Sequence, residues 1–209
     1  MSAVRPKATK DRHQEILGAA ARVITERGLA DSRISDVAEE AGVSPGLILY
    51  YFDSKDRLLS EALTYANDQF YLRMSREIRR IGSAREQLRR LIDLSIPGFR
   101  PDHSKFDEWA LWIEVWARAL RDPEMSKDRE MLDQRWRQSI ADIIRAGQAS
   151  GEFAPGDAEE LALRLGCLID GLAIQVIMKD SQVTAERMRR ASWEVAAREL
   201  GFDEESAGR

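Results

Sequence analysis

The sequence predicts an all-α protein built from about nine helices. Apolar residues recur with the helical period over almost every segment, and no stretch alternates like a half-buried strand. Gly, Pro and capping residues separate these segments at spacings that suit helices. With 209 residues, 44% of them hydrophobic, the chain is long and apolar enough to bury a core, which excludes a disordered protein.

The N-terminal part predicts one longer helix followed by two short ones. Gly28 is a natural end for the first helix, and Gly42 marks the turn between the other two. Ser44 can cap the third helix, and Pro45 suits its first position. The predicted ranges are residues 10–27, 34–40 and 45–51.

Six further helices follow, each bounded by a break or a capping residue. Ser104, Asp122, Asp157 and Thr184 are the expected N-caps of four of them. The predicted ranges are about 55–80, 84–96, 104–121, 123–150, 157–179 and 184–200. We therefore expect an N-terminal arm and a small helical domain over residues 1–54, a larger helical domain over residues 55–202, and a disordered tail over residues 203–209.

The two short helices have the spacing of a helix-turn-helix motif. Ala38 is small where two helices would cross closely, Gly42 stands four residues later, and Ile48 stands six residues after Gly42 and would point inward. The other residues of this miniature core are Val37, Val43 and Phe52. Because such a motif places its second helix in the major groove, the pattern predicts DNA binding.

Residues 10–63 closely resemble the DNA-binding domain of the TetR (tetracycline repressor) family of transcription regulators. The resemblance rests on the helix that ends at Gly28, the helix-turn-helix spacing, the pair Tyr51 and Phe52, Lys55, and the leucines at 58–59. It implies a homodimeric regulator, usually a repressor of a palindromic operator, whose C-terminal domain dimerises and holds a small-molecule inducer. The DNA contacts that it implies are Arg33, Ser35, Ser44, Pro45, Gly46, Leu47, Leu49, Tyr50, Tyr51 and Lys55.

Positive charge is concentrated at the N-terminus, although the whole chain has a formal net charge of −4. The charged residues among the first twelve are Arg5, Lys7, Lys10 and Arg12 against Asp11, which gives four minus one, a net +3. Beside a helix-turn-helix, Lys7 and Lys10 are candidate contacts to phosphates or to the minor groove. A solvated, frayed terminus is the alternative.

The predicted recognition helix contains no Arg, Lys, Asn or Gln, the usual readers of base edges. Relatives often have Thr or Ser at position 33, Thr at 47 and Tyr at 49, where this chain has Arg and two leucines. We expect Tyr50, Tyr51 and the helix N-terminus to contact phosphates, and Leu47 to contact thymine methyl groups. Packing inside the domain is the alternative for both leucines, and it is favoured for Leu49, at the edge of the core face.

The tryptophans of the helix predicted over residues 104–121 share one face. An aromatic stripe at helical spacing is usually part of a core, but three tryptophans on one face can also line an inducer pocket. Indole rings attract cations, so a cationic inducer fits, as does an aromatic or amphipathic one. The candidate ligand-binding residues are Trp109, Trp112, Ile113, Trp116 and Phe106, with Phe70 and Met74 of the preceding long helix.

The helix predicted over residues 157–179 is apolar nearly all round, so it needs two partners: its own core and a second subunit. The segment CLIDGLAIQVI and the tryptophans at 112 and 116 resemble the choline-responsive repressors of betaine synthesis, a subgroup of the TetR family. The candidate dimer contacts are Leu161, Leu165, Leu168, Leu172 and Val176, with Trp193 of the last helix.

Enzymatic, cofactor-binding and metal-binding functions have no motif in this sequence. The two histidines, His13 and His103, and the single Cys167 form no cluster with catalytic or metal-ligand spacing. We find no signal peptide and no apolar run long enough to span a membrane, so we expect a cytoplasmic protein. The alternative function is an all-helical small-molecule-binding or scaffolding protein that no longer binds DNA specifically.

Overall fold

The computed structural model describes residues 6–99 and 108–203, and these ranges contain nine helices and no strand. The all-α class is therefore confirmed. The helices are α1 (Pro6–Asp31), α2 (Ile34–Ala41), α3 (Pro45–Phe52), α4 (Lys55–Ile78), α5 (Ala84–Leu94), α6 (Glu108–Ala119), α7 (Pro123–Ser150), α8 (Ala158–Ile177) and α9 (Ala185–Leu200). Ser104, the expected N-cap of α6, lies outside the described residues.

Local caps explain where several helices begin. The Ser44 hydroxyl accepts a hydrogen bond from the Leu47 amide at 3.3 Å. The Asp157 carboxylate accepts from two amides of the first turn of α8 at 3.0 and 3.1 Å. The Thr184 hydroxyl accepts from the Arg187 amide at 3.2 Å. Each cap satisfies amides that the helix itself leaves free, so these helix starts follow the predicted residues.

The described helices form two compact units. The first contains residues 6–70 and 108–129, and the second contains residues 71–99 and 130–203. The two units divide within α4, between residues 70 and 71, and α6 packs against α1 in the first unit. The first unit therefore combines the helix-turn-helix with helices that the sequence assigned to the larger domain.

The first unit is organised around α1, which packs against α2 and α6. Gly28 has φ 76° and ψ 160°, a conformation that essentially only glycine adopts, so the regular part of α1 ends there as predicted. The Ser32 hydroxyl donates to the Gly28 carbonyl at 2.6 Å and holds the chain as it turns toward α2. The buried residues at the centre of this packing include Ile16, Ala20, Val23, Ile24, Leu111 and Val115.

The second unit contains an aromatic cluster that fixes the turn after α7 to the end of α9. The ring centroids of Phe153 and Phe202 are 5.4 Å apart, and those of Trp193 and Phe202 are 5.0 Å apart. The Arg85 guanidinium lies 4.8 Å from the Phe202 centroid. Helix α9 also packs against α8 and α5.

Glu152, in the turn after α7, caps the N-terminus of α5. Its carboxylate accepts hydrogen bonds from the Ser83 hydroxyl at 2.5 Å and from the amides of Ala84 and Arg85 at 3.0 and 3.2 Å. These bonds, the Ser83 bond foremost, stabilise the ionised form and lower the pKa of Glu152 to about 2.

Replacing Glu152 with glutamine should destabilise the protein at neutral pH and much less in acid. Because the pKa of Glu152 is lowered in the folded protein, its carboxylate contributes stability at pH values above its ordinary pKa of 4.5. This contribution is lost as the pH falls toward about 2. Because Glu152 is half-buried and solvent screens part of its charge, we expect a cap-sized effect of about 1 kcal/mol at neutral pH. Urea unfolding of both proteins across this pH range measures it. A difference in stability that is constant with pH would contradict the assignment.

Candidate functional site

The helix-turn-helix has the predicted buried frame. Gly42 adopts a left-handed conformation, with φ 65° and ψ 37°, and the chain turns there because the Val43 amide donates to the Ala38 carbonyl at 2.9 Å. Ala38 is 2% exposed, and Ile48 and Phe52 on α3 are 0% and 1% exposed. These contacts fix α3 against α2 and α1 and determine which of its side chains face outward.

The outward face of α3 carries two large exposed side chains. Tyr50 is 79% exposed and Leu49 is 50% exposed, whereas Leu47 and Tyr51 are half-buried. The packing alternative favoured for Leu49 is therefore wrong. Helix α3 is only two turns long, and Ile48 and Phe52 already fill its inward face. The exposed residues at its N-terminus are Ser44, Pro45 and Gly46.

The polar candidates flank this face. Arg33 and Ser35 are exposed at the start of α2, where the Arg33 amide donates to the Asp36 carboxylate at 2.9 Å. Lys55 is half-buried, with its ammonium group 3.4 Å from the Ala30 carbonyl. Lys7 and Lys10 belong to α1, but their side chains lie outside what the structure describes.

Helix α6 presents its tryptophans away from its core face. Leu111 and Val115 are both 0% exposed, whereas Trp109, Trp112 and Trp116 are half-buried. Trp116 lies with its ring centroid 6.3 Å from that of Trp109 and 5.9 Å from that of Trp112. The stripe is therefore one contiguous, partly accessible aromatic surface rather than a fully buried core face.

The other ligand candidates have mixed environments. Ile113 and Phe70 are half-buried, and Met74 is buried in the second unit. Phe106 lies outside the described residues. The tryptophans and Ile113 are thus the candidates with accessible surface on α6.

Polar residues of α6 contact α4 and the end of α1, the helices on either side of the helix-turn-helix. Arg118 forms an ion pair of 2.5 Å with Asp56 in the first turn of α4. The Glu114 carboxylate is so close to Gly28 that a Cβ atom there would lie 3.2 Å from its Oε1. A shift of α6 would therefore act directly on α4 and on the end of α1.

The accessible apolar face of α8 differs from the predicted stripe. Leu161 and Leu165 are 8% and 1% exposed within the protomer, so they are not available to a partner. Helix α8 packs against α9 within the same unit. Leu168, Leu172, Val176 and Trp193 are half-buried. One exposed row along α8 and its end consists of Leu163, Cys167, Gly171, Gln175 and Met178, about one turn apart. Glu159, Glu160 and Arg164 are exposed on the same helix.

One buried carboxyl group in the second unit was not singled out by the sequence pattern. The pKa of Asp170 on α8 is raised to about 7. Burial is the main cause and the nearby Asp133 carboxylate contributes, while Arg137 and a hydrogen bond with Trp136 act in the opposite direction. Asp170 therefore changes its charge near neutral pH. A single Asp inside an apolar helix was the available signal in the sequence.

Two exclusions follow from the described part of the chain. None of its helices is long and apolar enough to cross a membrane. Nor do any three His, Cys, Asp or Glu side chains in those ranges converge as a metal site.

Comparisons with known proteins match both parts of the chain. Residues 16–62 match the family described as bacterial regulatory proteins, tetR family. Residues 84–201 match the family described as BetI-type transcriptional repressor, C-terminal.

Individual relatives cover most of the chain. The HTH-type transcriptional regulator BetI of Stenotrophomonas maltophilia (strain R551-3) is 27% identical over 186 residues, which is 87% of this chain and 89% of that protein. A transcriptional regulator from Saccharomonospora viridis, solved in complex with choline, is 38% identical with a TM-score of 0.78, over 88% of this chain and 95% of that one. A TetR-family regulator from Rhodococcus sp. is 31% identical with a TM-score of 0.78, over 91% and 99% of the two chains.

Proposed function

The chain belongs to the tetR family of bacterial regulatory proteins and has a BetI-type C-terminal region; it is thus a transcriptional regulator rather than an enzyme, and we propose that it is a repressor. In this proposal a homodimer binds a palindromic operator. A small-molecule inducer, which the helices after the helix-turn-helix bind, releases the homodimer from the operator.

The outward face of α3 is the observation that carries the DNA-binding part of this proposal. A side chain as large as Tyr50 that is 79% exposed, beside a half-exposed Leu49, is available to a partner rather than to the core. Tyrosine hydroxyls can donate to phosphates, and leucine methyl groups can contact thymine methyl groups. The recognition helix would therefore depend on shape and apolar contact more than on hydrogen bonds to bases.

The tryptophan surface of α6 supports an inducer that carries a quaternary ammonium group. Such cations bind to the faces of aromatic rings, and the relative from Saccharomonospora viridis was solved with choline. The same helix holds the Arg118–Asp56 ion pair, so a ligand that moves α6 would also move the start of α4. Choline is therefore the first inducer to test.

The homodimer is proposed to form through the exposed face of α8. Leu163 and Met178 are 39% and 67% exposed, and Gly171 has no atom within 4 Å of the position of a Cβ. A face with apolar and small side chains allows a second copy of the helix to approach closely. Leu168, Leu172, Val176 and Trp193 would lie at its edges.

Fluorescence anisotropy with a labelled duplex from the region upstream of the protein's own gene tests the proposal. We expect two chains per duplex, a Kd in the range of about 10⁻⁸ to 10⁻¹¹ M, and a rise in Kd of about 5-fold to 150-fold when choline is added. Leu49→Ala should reduce the preference for particular base pairs while it leaves the weak binding to unrelated DNA unchanged. Equal affinity of the wild type for operator and unrelated DNA would favour a helical ligand-binding protein without specific DNA recognition.

A further inference from the structure

His13 on α1 contacts both α3 and α4. Its ring stacks on Phe52, with centroids 4.7 Å apart and planes inclined by 27°, and it meets the Tyr51 ring edge-on at 5.6 Å. Its Nε2 atom lies 3.2 Å from the Glu61 carboxylate on α4. One imidazole thus joins the three helices that determine the position of the recognition surface.

The contacts of His13 continue to the exposed part of α3. Tyr51 meets Tyr50 edge-on, with ring centroids 5.5 Å apart. A continuous row of rings therefore leads from the buried Phe52 through His13 and Tyr51 to the solvent-facing Tyr50. In this row His13 is the member whose side chain can take up a proton and become positively charged.

Charged groups lie close to His13 on α1 and α4. Glu61, its direct partner, also accepts a hydrogen bond from Arg57 at 3.0 Å, and Arg57 in turn pairs with Asp53 at 2.9 Å. On α1 itself, the neighbouring Arg12 and Glu15 pair with each other at 2.8 Å. The groups that face His13 from α3 and α4 are Tyr51, Phe52, Glu61 and, through Glu61, Arg57.

We propose that His13 is a positioning residue for DNA binding, whose protonation state sets the orientation of Tyr51 and through it the affinity for the operator. The inference rests on the proposed function only for its DNA readout. Protonation converts the contact with Glu61 into an ion pair and strengthens the stack on Phe52, and it adds positive charge next to the surface that would meet phosphates. All three effects increase affinity as the pH falls.

The operator affinity of wild-type protein and of two matched variants is the first measurement. We expect the wild-type Kd for the operator to fall about 3-fold to 10-fold between about pH 8 and pH 6, because histidine side chains in general become charged over this pH range. His13→Gln keeps a donor for Glu61 but carries no charge, so this histidine-dependent part of the profile should disappear. His103→Gln, at the only other histidine, should retain it. Because Asp170 also titrates near neutral pH, the difference between wild type and His13→Gln is the quantity that decides.

The aromatic NMR signals of the DNA-free protein are the second measurement. The Tyr51 ring signals, identified by their loss in Tyr51→Phe, should shift with pH with the same midpoint as the His13 imidazole, and they should stay constant in His13→Gln. Constant Tyr51 signals in the wild type, or an unchanged pH profile in His13→Gln, would overturn the inference. Coupled ring signals without any specific DNA binding would support the orientation of Tyr51 by His13 and reject the proposed function instead.

Discussion

Phe52→Ala should abolish specific DNA binding and lower the free energy of unfolding by about 3–5 kcal/mol. Phe52 is 1% exposed, and its ring stacks on His13 at 4.7 Å, so its removal leaves a cavity where α1 and α3 meet. The small core of the helix-turn-helix has few other large side chains that could fill this cavity. Urea unfolding followed by circular dichroism gives the stability, and fluorescence anisotropy with the operator duplex gives the affinity.

Tyr50→Ala is the matched control for this prediction. Tyr50 is 79% exposed, so its removal should change the free energy of unfolding by less than about 0.5 kcal/mol while it still weakens DNA binding. The pair of variants separates loss of the fold from loss of a contact. Wild-type stability in Phe52→Ala would contradict the described packing of α3.

Gly147→Ala should destabilise the second unit by about 2–3 kcal/mol, although alanine is the better helix former. The Phe153 ring folds back over Gly147 near the end of α7, and a Cβ atom at Gly147 would lie 2.8 Å from Phe153 Cγ and closer still to two other ring atoms. The ring cannot move away freely, because it is 4% exposed and stacks on Phe202. Thermal unfolding of the two proteins measures the effect.

A double-mutant cycle with Phe153→Leu tests the cause. In the Phe153→Leu background the smaller side chain should leave room for the added methyl group, so Gly147→Ala should cost less than about 1 kcal/mol there. An equal cost in both backgrounds would mean that the destabilisation does not arise from the ring.

The starts of the helices were predictable because their causes are local. Ser44, Asp157 and Thr184 each cap amides within three residues of their own position, and Gly28 ends the regular part of α1 through its own φ and ψ. The spacing of the helix-turn-helix is equally short in sequence, which is why its buried frame could be read directly.

The exposed faces were less predictable because they depend on what a distant helix covers. Leu165 is as apolar as Leu163, yet it is 1% exposed and Leu163 is 39% exposed, because only one of them faces the interior of the folded unit. Leu49 was expected to pack, but α3 is too short to bury it beside Ile48 and Phe52. His13 gave no signal at all, since its ring partners lie on α3, far along the chain.

The capping of α5 by Glu152 also orders the events of synthesis. The ribosome completes α5 well before residue 152, so the first amides of that helix are hydrated until α7 and its following turn have been made. Fragments that end before this turn lack the carboxylate and also Phe153, which holds the turn against the end of α9. The second unit therefore reaches its final packing only after nearly the whole chain has emerged, and truncation from the C-terminus should disturb α5 even though it removes none of its residues.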